Sequence, residues 1–530
     1  MSSENHSNSR SIEIPVATDS FELVYHFIED GLKKKHISSE IIDETLLVFE
    51  ALFHNLVEQK YDENTLLNIK MQSSFGDISI KINFNGRPYQ QTVGNQNVFS
   101  PENSILEAYD DKIDYRYQFG YNMIRIAVRK SYRNSLLFSL AGILLAILVY
   151  TILNALMSDN NLAAVGDEVV FPLIKLFSNA MLMVGTPVTF FSLIKNISDT
   201  YIISGKSSIG KRLHLKTIAT SVITVLLGVG ISFLITIIVN PLKGYYAGES
   251  SFAGTLPFSQ MINNVIPSNI FDPFVTILPF SLIFVAVLIT YALCSVGKYF
   301  DKTKKAMDAC YTLFSKMLSI VFYALPFFCF LSFLGVLIVN GWSEILLFAE
   351  MLLLIAVSII SIALFYLIRL LIGGVEIRTF LKHLPKLILE NKRINSAIDA
   401  VPFNIRYCTR YYGMDRKWLS DRLPLLAQIN LDGNCYLITL CTMLFIFLLG
   451  MEISWVQIVV ILVLIVFLSF GSPNQPGSLL IGMLIITMYL HADGMITVAI
   501  FSEVLFGHIQ NLINVIGDIV TVAIEECKCK

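Results

Sequence analysis

From residue 134 onward, long apolar runs alternate with short polar segments along the chain. A helix that crosses a bilayer needs about 20 apolar residues, because lipid offers no partner to a free backbone N–H or C=O group. Eight runs meet this requirement, the last in part, and each is predicted to be a transmembrane helix. They are 135–157, 171–194, 217–239, 276–297, 317–339, 345–371, 434–450 and 496–524.

Two further apolar stretches, 376–410 and 455–490, are interrupted in the middle by residues that break helices. The first has Asn395 and Ser396 at its centre, and the second has the run Gly-Ser-Pro-Asn-Gln-Pro-Gly at 471–477. Apolar arms on either side of a polar centre predict a hairpin that enters the membrane and returns to the same side. Such irregular backbone is tolerated only inside protein or beside water. Two hairpins of opposite orientation favour a carrier with a midplane site and alternating access over a channel.

The first 133 residues have the patterns of a small folded domain. Two helical periodicities lie between residues 20 and 60, and strand-like runs follow at 65–71, 77–84 and about 122–129, with Asn85-Gly86 as a turn signal. This order predicts an α+β domain over residues 16–133, preceded by a disordered N-terminus of residues 1–15. The membrane domain is then expected to occupy residues 134–525, with 526–530 as a tail.

The composition agrees with a membrane protein, since 54% of the residues are hydrophobic and 15% are charged, against roughly 25% charged in a soluble domain. A net charge of −2 without a basic block argues against nucleic-acid binding, which requires many Lys and Arg side chains against phosphates. Lys and Arg concentrate in alternate loops. The positive-inside rule then predicts a multi-pass protein of the plasma (inner) membrane with both termini in the cytoplasm.

Polar side chains within the last apolar runs are the candidate chemistry, because they are expensive at membrane depth and usually functional. Asn430 and Asp432 lie in one such run. Gln510, Asn514 and Asp518 follow at intervals of four residues, which places them on one face of a helix. Carboxylate and amide oxygens are hard ligands that suit a small cation such as Na⁺. The alternative is a set of hydrogen bonds that holds helices together.

These residues lie in motifs that resemble those of the dicarboxylate/amino acid:cation symporters, the family of the glutamate transporters. Asn-Leu-Asp-Gly-Asn at 430–434 is similar to the family's Asn-Met-Asp-Gly-Thr, and Asn-Val-Ile-Gly-Asp at 514–518 to its Asn-Val-Thr-Gly-Asp. The run at 469–477 is similar to the tip of its second hairpin. The resemblance covers about residues 135–525. It implies eight helices with two opposed hairpins, a homotrimer, and an elevator mechanism in which the outer hairpin is the extracellular gate.

The resemblance also implies three sodium sites. The first site matches Asn430, Asn514 and Asp518. The second matches Thr220, Ser221, Asn430 and Asp432. The third matches the backbone carbonyls of Ser469, Phe470 and Ser472. On these grounds the expected coupling ion is Na⁺, with H⁺ as the alternative.

The expected substrate pocket departs from the family. Gln510 replaces the arginine that binds a substrate carboxylate, and Gly507 replaces the aspartate that binds an amine. A glutamine cannot form the charged, bidentate pair that an arginine forms. We therefore expect a small polar organic solute of the amino acid or carboxylate class, neutral or monocarboxylate rather than acidic. Its predicted contacts are Ser396, Asn434, Asn474, Gln475, Gln510 and Asn514; Asp399 is either a further contact or a hairpin cap.

The N-terminal domain resembles the anti-sigma type of histidine-kinase-like ATPase domain. Glu50 and Asn55 are similar to its Mg²⁺-binding box, but their spacing differs by one residue, and Phe84 occupies the place of the adenine-binding aspartate. The module is therefore interpreted as degenerate, without ATP, and as a site for a regulatory partner or a gate for the transporter. Three functions are compatible with these features: a cation-coupled symporter, a membrane sensor with a transporter-derived fold, and a kinase. The symporter is favoured. The chain is not expected to be an enzyme.

Overall fold

The structure is a computed structural model of the full chain. It describes residues 10–35, 37, 39–59, 61, 65–74, 77–89, 105–106, 109, 112–118, 120–129, 135–206, 208–238, 265–276, 278–391, 396–448, 451, 453–473, 476–490, 492 and 495–529. Two hydrophobic cores are present in this part of the chain, one in the N-terminal domain and one in the helical remainder.

The N-terminal domain is a five-stranded antiparallel sheet covered by two helices. Its strands are β1 (Arg10–Pro15), β2 (Leu66–Ser74), β3 (Asp77–Asn85), β4 (Ile113–Gln118) and β5 (Tyr121–Arg129), and its helices are α1 (Phe21–Lys34) and α2 (Ser39–Glu58). The spatial order is β1-β2-β3-β5-β4. Ile69, Ile82 and Ile124 lie side by side on three adjacent strands and are buried, because alternate residues of a strand point to the same face.

The sequence predicted the two helices and three of these strands. It did not predict β4, and the disorder expected over residues 1–15 does not extend to Arg10–Pro15, which pairs with β2 along its whole length. Ile12 and Ile14 alternate with polar residues, but the run is short, and pairing with β2 supplies the order. Gly31 of α1 lies so close to the sheet that a Cβ there would be 2.4 Å from the sulfur of Met71.

The described residues that follow β5 are mainly helical. Its helices, in chain order, are α3 (Ser135–Leu156), α4 (Asp159–Val165), α5 (Phe171–Lys206), α6 (Ser208–Ile238), α7 (Asp272–Val275), α8 (Pro279–Ser295), α9 (Phe300–Phe322), α10 (Leu325–Asn340), α11 (Glu344–Gly373), α12 (Ile377–Asn391), α13 (Ala397–Tyr412), α14 (Arg416–Ser420), α15 (Leu423–Ile429), α16 (Asp432–Leu448), α17 (Trp455–Phe470), α18 (Ser478–Tyr489) and α19 (Met495–Cys529).

Six spans within the described residues are long and apolar enough to cross a membrane, or seven if one bent pair counts as a single span. The predicted number of eight remains a prediction. The bent pair joins α8 to α9 at an angle of 110°. The sequence predicted a loop after residue 297. Helix α9 forms there instead, because its apolar positions recur along one helical face among charged ones.

The two interrupted stretches are each a pair of helices. Interrupted segment 1 consists of α12 and α13, and interrupted segment 2 of α17 and α18. The first is amphipathic and the second almost wholly apolar. Whether each returns to the side from which it enters remains a prediction. Helix α16 lies at the centre, where it contacts α6, α18 and α19, while α13 contacts α15, α19 and helix α2 of the N-terminal domain.

Candidate functional site

The centre of the helical part contains a break in a helix. Helix α15 ends at Ile429, Asn430 has non-helical backbone angles (φ −94°, ψ 80°), and α16 begins at Asp432. An acidic residue at the first position of a helix is favoured by the helix dipole. The break therefore presents the side chains of Asn430 and Asp432, both fully buried, at the same level of the bundle.

Helix α19 crosses this break with its polar stripe. Gly517 makes the close approach possible, because a Cβ at that position would lie 2.7 Å from the Tyr366 hydroxyl and 3.2 Å from Oδ2 of Asp432. Gly433 has the same role on α16, where a Cβ would lie 2.4 Å from the carbonyl oxygen of Gln510. The two glycines bring the carboxyl groups of Asp432 and Asp518 into one buried region, as the sequence predicted for their helices.

Asp518 has an incomplete set of partners. Its Oδ1 accepts a hydrogen bond of 2.9 Å from Nδ2 of Asn430. Its Oδ2 and the Oδ1 of Asn430 have no hydrogen-bond partner in the part of the chain that the structure describes, although both residues are buried. An unpaired buried oxygen of this kind costs free energy unless a donor or a cation satisfies it. These two oxygens therefore fit a hard cation.

Asp432 has a different environment. Its Oδ2 lies 3.4 Å from Nη1 of Arg369 and 3.4 Å from the Tyr366 hydroxyl. Thr220 of α6 lies beside the same carboxyl group, and its hydroxyl donates to the carbonyl of Thr217 at 2.9 Å, which leaves the lone pairs of the oxygen available. The neighbouring Ser221 lies against the thiol of Cys435 instead. Arg369 is not among the site residues predicted from the sequence.

A chain of amide groups links α16, α19 and interrupted segment 2. Nδ2 of Asn434 donates to the Ser472 hydroxyl at 2.7 Å, and Nδ2 of Asn514 donates to Oδ1 of Asn434 at 2.9 Å. Gln510 donates to the Ser478 hydroxyl at 3.1 Å. The structure therefore joins two of the predicted substrate contacts, Asn434 and Asn514, in one uncharged network with Ser472. Gln510 makes a separate uncharged contact to the same segment through Ser478.

The other predicted substrate contacts are not part of this network as described. Ser396 caps helix α13, since its hydroxyl accepts a hydrogen bond of 3.1 Å from the backbone N–H of Asp399. Asn474 and Gln475 lie outside the described residues.

The three carbonyls predicted for a third sodium site lie at the end of α17. The carbonyl of Phe470 accepts a hydrogen bond of 2.6 Å from Asn196 of α5, and the carbonyl of Ser472 accepts one of 3.4 Å from Ser192. The carbonyl of Ser469 accepts the backbone N–H of Ser472 at 3.1 Å. Each carbonyl keeps a second lone pair, so these contacts leave coordination possible.

Glu503 is a buried residue of this region that sequence reasoning missed. Its two carboxyl oxygens accept backbone N–H groups of Gly477 and Leu480, at 2.9 and 3.0 Å, at the start of α18. A Cβ at Gly507 would already lie 2.7 Å from Glu503, so a larger side chain there would displace this contact. A glutamate inside an apolar helix was the available signal.

In the N-terminal domain, the residues of the suspected Mg²⁺ box have separate partners. Glu50 forms an ion pair of 3.7 Å with Arg416 of α14. Asn55 is buried and accepts a hydrogen bond of 2.7 Å from Gln59. Within the described residues there is also no group of three or more His, Cys, Asp and Glu side chains placed to hold a metal ion. The ATPase-like character of this domain therefore stays a prediction.

Comparison with known proteins identifies a family for the helical part of the chain. The family model described as the sodium:dicarboxylate symporter family matches residues 136–526. The matched region begins in α3 and ends near the end of α19, so it contains every residue of the buried site described above and leaves the N-terminal domain outside. No curated protein matches the chain.

Proposed function

The chain belongs to the sodium:dicarboxylate symporter family, and we propose that it moves a small polar organic solute across the membrane together with Na⁺. Membership makes it a multi-pass, cation-coupled transporter rather than an enzyme. The observation that supports Na⁺ is the pair of unpaired buried oxygens, Asp518 Oδ2 and Asn430 Oδ1. Asn430, Asn514 and Asp518 would hold the ion. Its positive charge would be balanced by the carboxylate of Asp518 and the partial negative charge of the amide oxygens. Oxygen donors without a thiol or imidazole suit a hard cation.

The test of the coupling ion is uptake into liposomes that contain the purified full-length protein, with Na⁺ replaced by choline. We expect uptake only with an inward Na⁺ gradient, and Asp518→Asn should abolish it while the protein still folds. Asp167→Asn, which removes an exposed carboxylate of the same helical region, is the matched control. Uptake that follows a proton gradient and ignores Na⁺ would replace Na⁺ with H⁺ in this proposal.

The proposed solute carries at most one carboxylate. The supporting observation is that the polar partners here are uncharged: Asn514 donates to Asn434, and Gln510 donates to Ser478 of α18. A second carboxylate would find no guanidinium at position 510 to compensate its charge. Competition of uptake by neutral amino acids, monocarboxylates and dicarboxylates tests this, and strong competition by glutamate or aspartate would contradict it. Gln510→Arg should shift competition toward dicarboxylates.

The proposed mechanism is alternating access of the elevator type in a homotrimer, in a plasma (inner) membrane with both termini in the cytoplasm. Interrupted segments 1 and 2 would be the two re-entrant hairpins, with segment 2 as the extracellular gate. The support is positional: segment 2 contacts the site through Ser472 and Ser478, next to the carbonyls proposed to bind Na⁺. Labelling of single cysteines from each side of the membrane tests this topology, since the two interruptions should react from opposite sides.

We also propose that the N-terminal domain gates transport by binding segment 1. The support is contact: Asp43 of α2 pairs with Arg406 of α13, and the Tyr109 hydroxyl donates to the carbonyl of Asp399 at 3.4 Å. While these contacts are formed, the N-terminal domain restrains the movement of segment 1. Asp43→Arg should change the uptake rate, and the reciprocal pair Asp43→Arg with Arg406→Asp should restore it. Ligand-dependent loosening of this contact without uptake would instead support a membrane sensor.

A further inference from the structure

Arg369 is the only charged residue between Ile355 and Gly373, a stretch apolar enough to cross a membrane. An ionised side chain at such a position is costly and requires a partner. The side chain of Arg369 is 15% exposed and its partner Asp432 is fully buried. Solubility therefore does not explain why an arginine lies beside the ion region.

The contacts of Arg369 hold its charge at Asp432. Nη1 lies 3.4 Å from Oδ2 of Asp432, and Nη2 donates to the Thr521 hydroxyl of α19 at 3.1 Å. The guanidinium carbon also lies 5.6 Å from the ring centre of Phe365 and 5.8 Å from that of Tyr366, distances at which a cation is attracted to an aromatic face. Arginine cannot lose its proton in a protein, so this positive charge is permanent.

The two buried carboxyl groups thus differ in what balances them. Oδ1 of Asp518 is contacted by an amide, whereas Oδ2 of Asp432 is contacted by a guanidinium. The other carboxyl oxygen of each residue has no hydrogen-bond partner among the described residues. Thr220, Asn430 and Asp432 offer oxygens that suit Na⁺, but a sodium ion there would lie against a fixed positive charge. The oxygen ligands therefore suit Na⁺, but the positive charge of Arg369 opposes the binding of Na⁺ there.

We infer that Arg369 is a built-in cation that replaces exchangeable Na⁺ at Asp432, and that Na⁺ exchanges in the pocket of Asp518. The inference deepens the proposed function and rests on its assignment of Na⁺ as the coupling ion. It predicts that the substrate-free protein binds fewer sodium ions than the three ligand sets suggest, and that removal of the guanidinium opens a further sodium site.

The test measures equilibrium binding of radioactive Na⁺ to the purified full-length protein without solute, together with the shift of the melting temperature with Na⁺ at constant ionic strength. Ligands that bind the folded state raise its stability, so the two readouts report the same sites. The variants are Arg369→Gln, the double variant Arg369→Gln with Asp432→Asn, and Asp518→Asn. Arg410→Gln, which removes an exposed arginine beside an aromatic ring, is the control.

We expect Arg369→Gln to bind about one more Na⁺ per chain than the wild type and to melt at a temperature that depends more steeply on Na⁺. The double variant should return to the wild-type number, and Arg410→Gln should not differ from it. The inference is overturned if Arg369→Gln gains no ion, or if the double variant binds fewer ions than the wild type. If Arg369→Gln does not fold, the charge-neutral double variant decides alone.

The result also separates this inference from the proposed function. If the wild type binds no Na⁺ and Asp518→Asn changes nothing, Na⁺ is not the coupling ion and the proposed function is wrong in that respect. A gain of Na⁺ in Arg369→Gln would still support the role of Arg369, because that gain does not depend on the pocket of Asp518.

Discussion

Interrupted segments 1 and 2 have the same construction, two helices joined by a non-helical link, but they are held by different forces. Segment 2 is fixed from inside the helical part by buried side chains that bind its backbone. Segment 1 is fixed from outside by the N-terminal domain through charged side chains near solvent. This difference determines which of the two segments can respond to salt or to other molecules.

The contacts of segment 2 are buried and directed at backbone groups. Glu503 accepts two N–H groups at the start of α18, and Asn196 donates to the carbonyl of Phe470 at 2.6 Å. Hydrogen bonds to a charged group are stronger than neutral ones, and burial protects them from salt. Segment 2 should therefore release only when a stronger competitor, such as the ion or the solute, takes over its contacts.

The contacts of segment 1 are of the weaker kind. The side chains of Asp43 and Arg406 are 44% and 41% exposed. The neighbouring pair of Glu50 with Arg416 of α14, directly after segment 1, is 34% and 54% exposed. Exposed ion pairs contribute between about 0 and 1 kcal/mol, and salt screens them. Segment 1 is thus held in a way that ionic conditions or a partner of the N-terminal domain can change, which suits a regulatory contact.

The largest effect on this comparison should come from Glu503. Glu503→Gln keeps the shape of the side chain but replaces one acceptor oxygen with an NH2 group, so one of the N–H groups of Gly477 and Leu480 loses its acceptor. A buried donor left without a partner costs about 1–3 kcal/mol. We expect a clear fall in melting temperature and a loss of uptake. The exposed Glu376→Gln is the control, and equal melting of the two variants would contradict the assigned role of Glu503.

A smaller effect is expected from Asn196. Asn196→Ala removes the hydrogen bond to the Phe470 carbonyl and should cost about 0.5–1.5 kcal/mol, the range of a neutral hydrogen bond. Because that carbonyl belongs to the proposed sodium ligands, the variant should also alter the Na⁺ concentration that gives half-maximal uptake. Asn160→Ala at an exposed position is the control. An unchanged Na⁺ dependence would remove Asn196 from any role in ion binding.

The sequence allowed much of the buried site to be predicted because its residues repeat at helical intervals. Gln510, Asn514 and Asp518 lie four residues apart, and the break at Asn430 and Asp432 carries its own polar signature, so their convergence could be expected. The structure brings these groups together at Gly433 and Gly517. The apolar runs likewise anticipated the main helices of the bundle.

What could not be predicted depends on which helix faces meet. Arg369 is far from Asp432 along the chain, and no local pattern reveals that α11 turns its guanidinium toward α16. Glu503 binds backbone N–H groups, which every residue possesses, so its partners leave no mark in the sequence. The contact of α2 with α13 joins two amphipathic surfaces, and many helices in this chain have such a surface.

Tyr109 of the N-terminal domain, which contacts segment 1, should have a modest effect. Tyr109→Phe removes a long hydrogen bond of 3.4 Å to the Asp399 carbonyl and keeps the buried ring, so we expect about 0.5 kcal/mol. Tyr117→Phe, at an exposed position, is the control. The readout is the protection of segment 1 from protease in the folded full-length protein. Equal protection in Tyr109→Phe and in the control would show that this hydrogen bond does not hold the segment.

The smallest expected effect concerns Glu50 and Arg416, and it separates the two segments most sharply. At 3.7 Å, with half of Arg416 exposed, this pair should contribute about 0.2–0.5 kcal/mol at low salt. Glu50→Gln, Arg416→Gln and the double variant form a cycle whose coupling energy isolates the pair. We expect this coupling to vanish at high salt, while the effect of Glu503→Gln persists there. A coupling that survives high salt would mean that the N-terminal domain holds α14, directly after segment 1, as firmly as segment 2 is held. The N-terminal domain would then be a fixed part of the transporter instead of an adjustable gate.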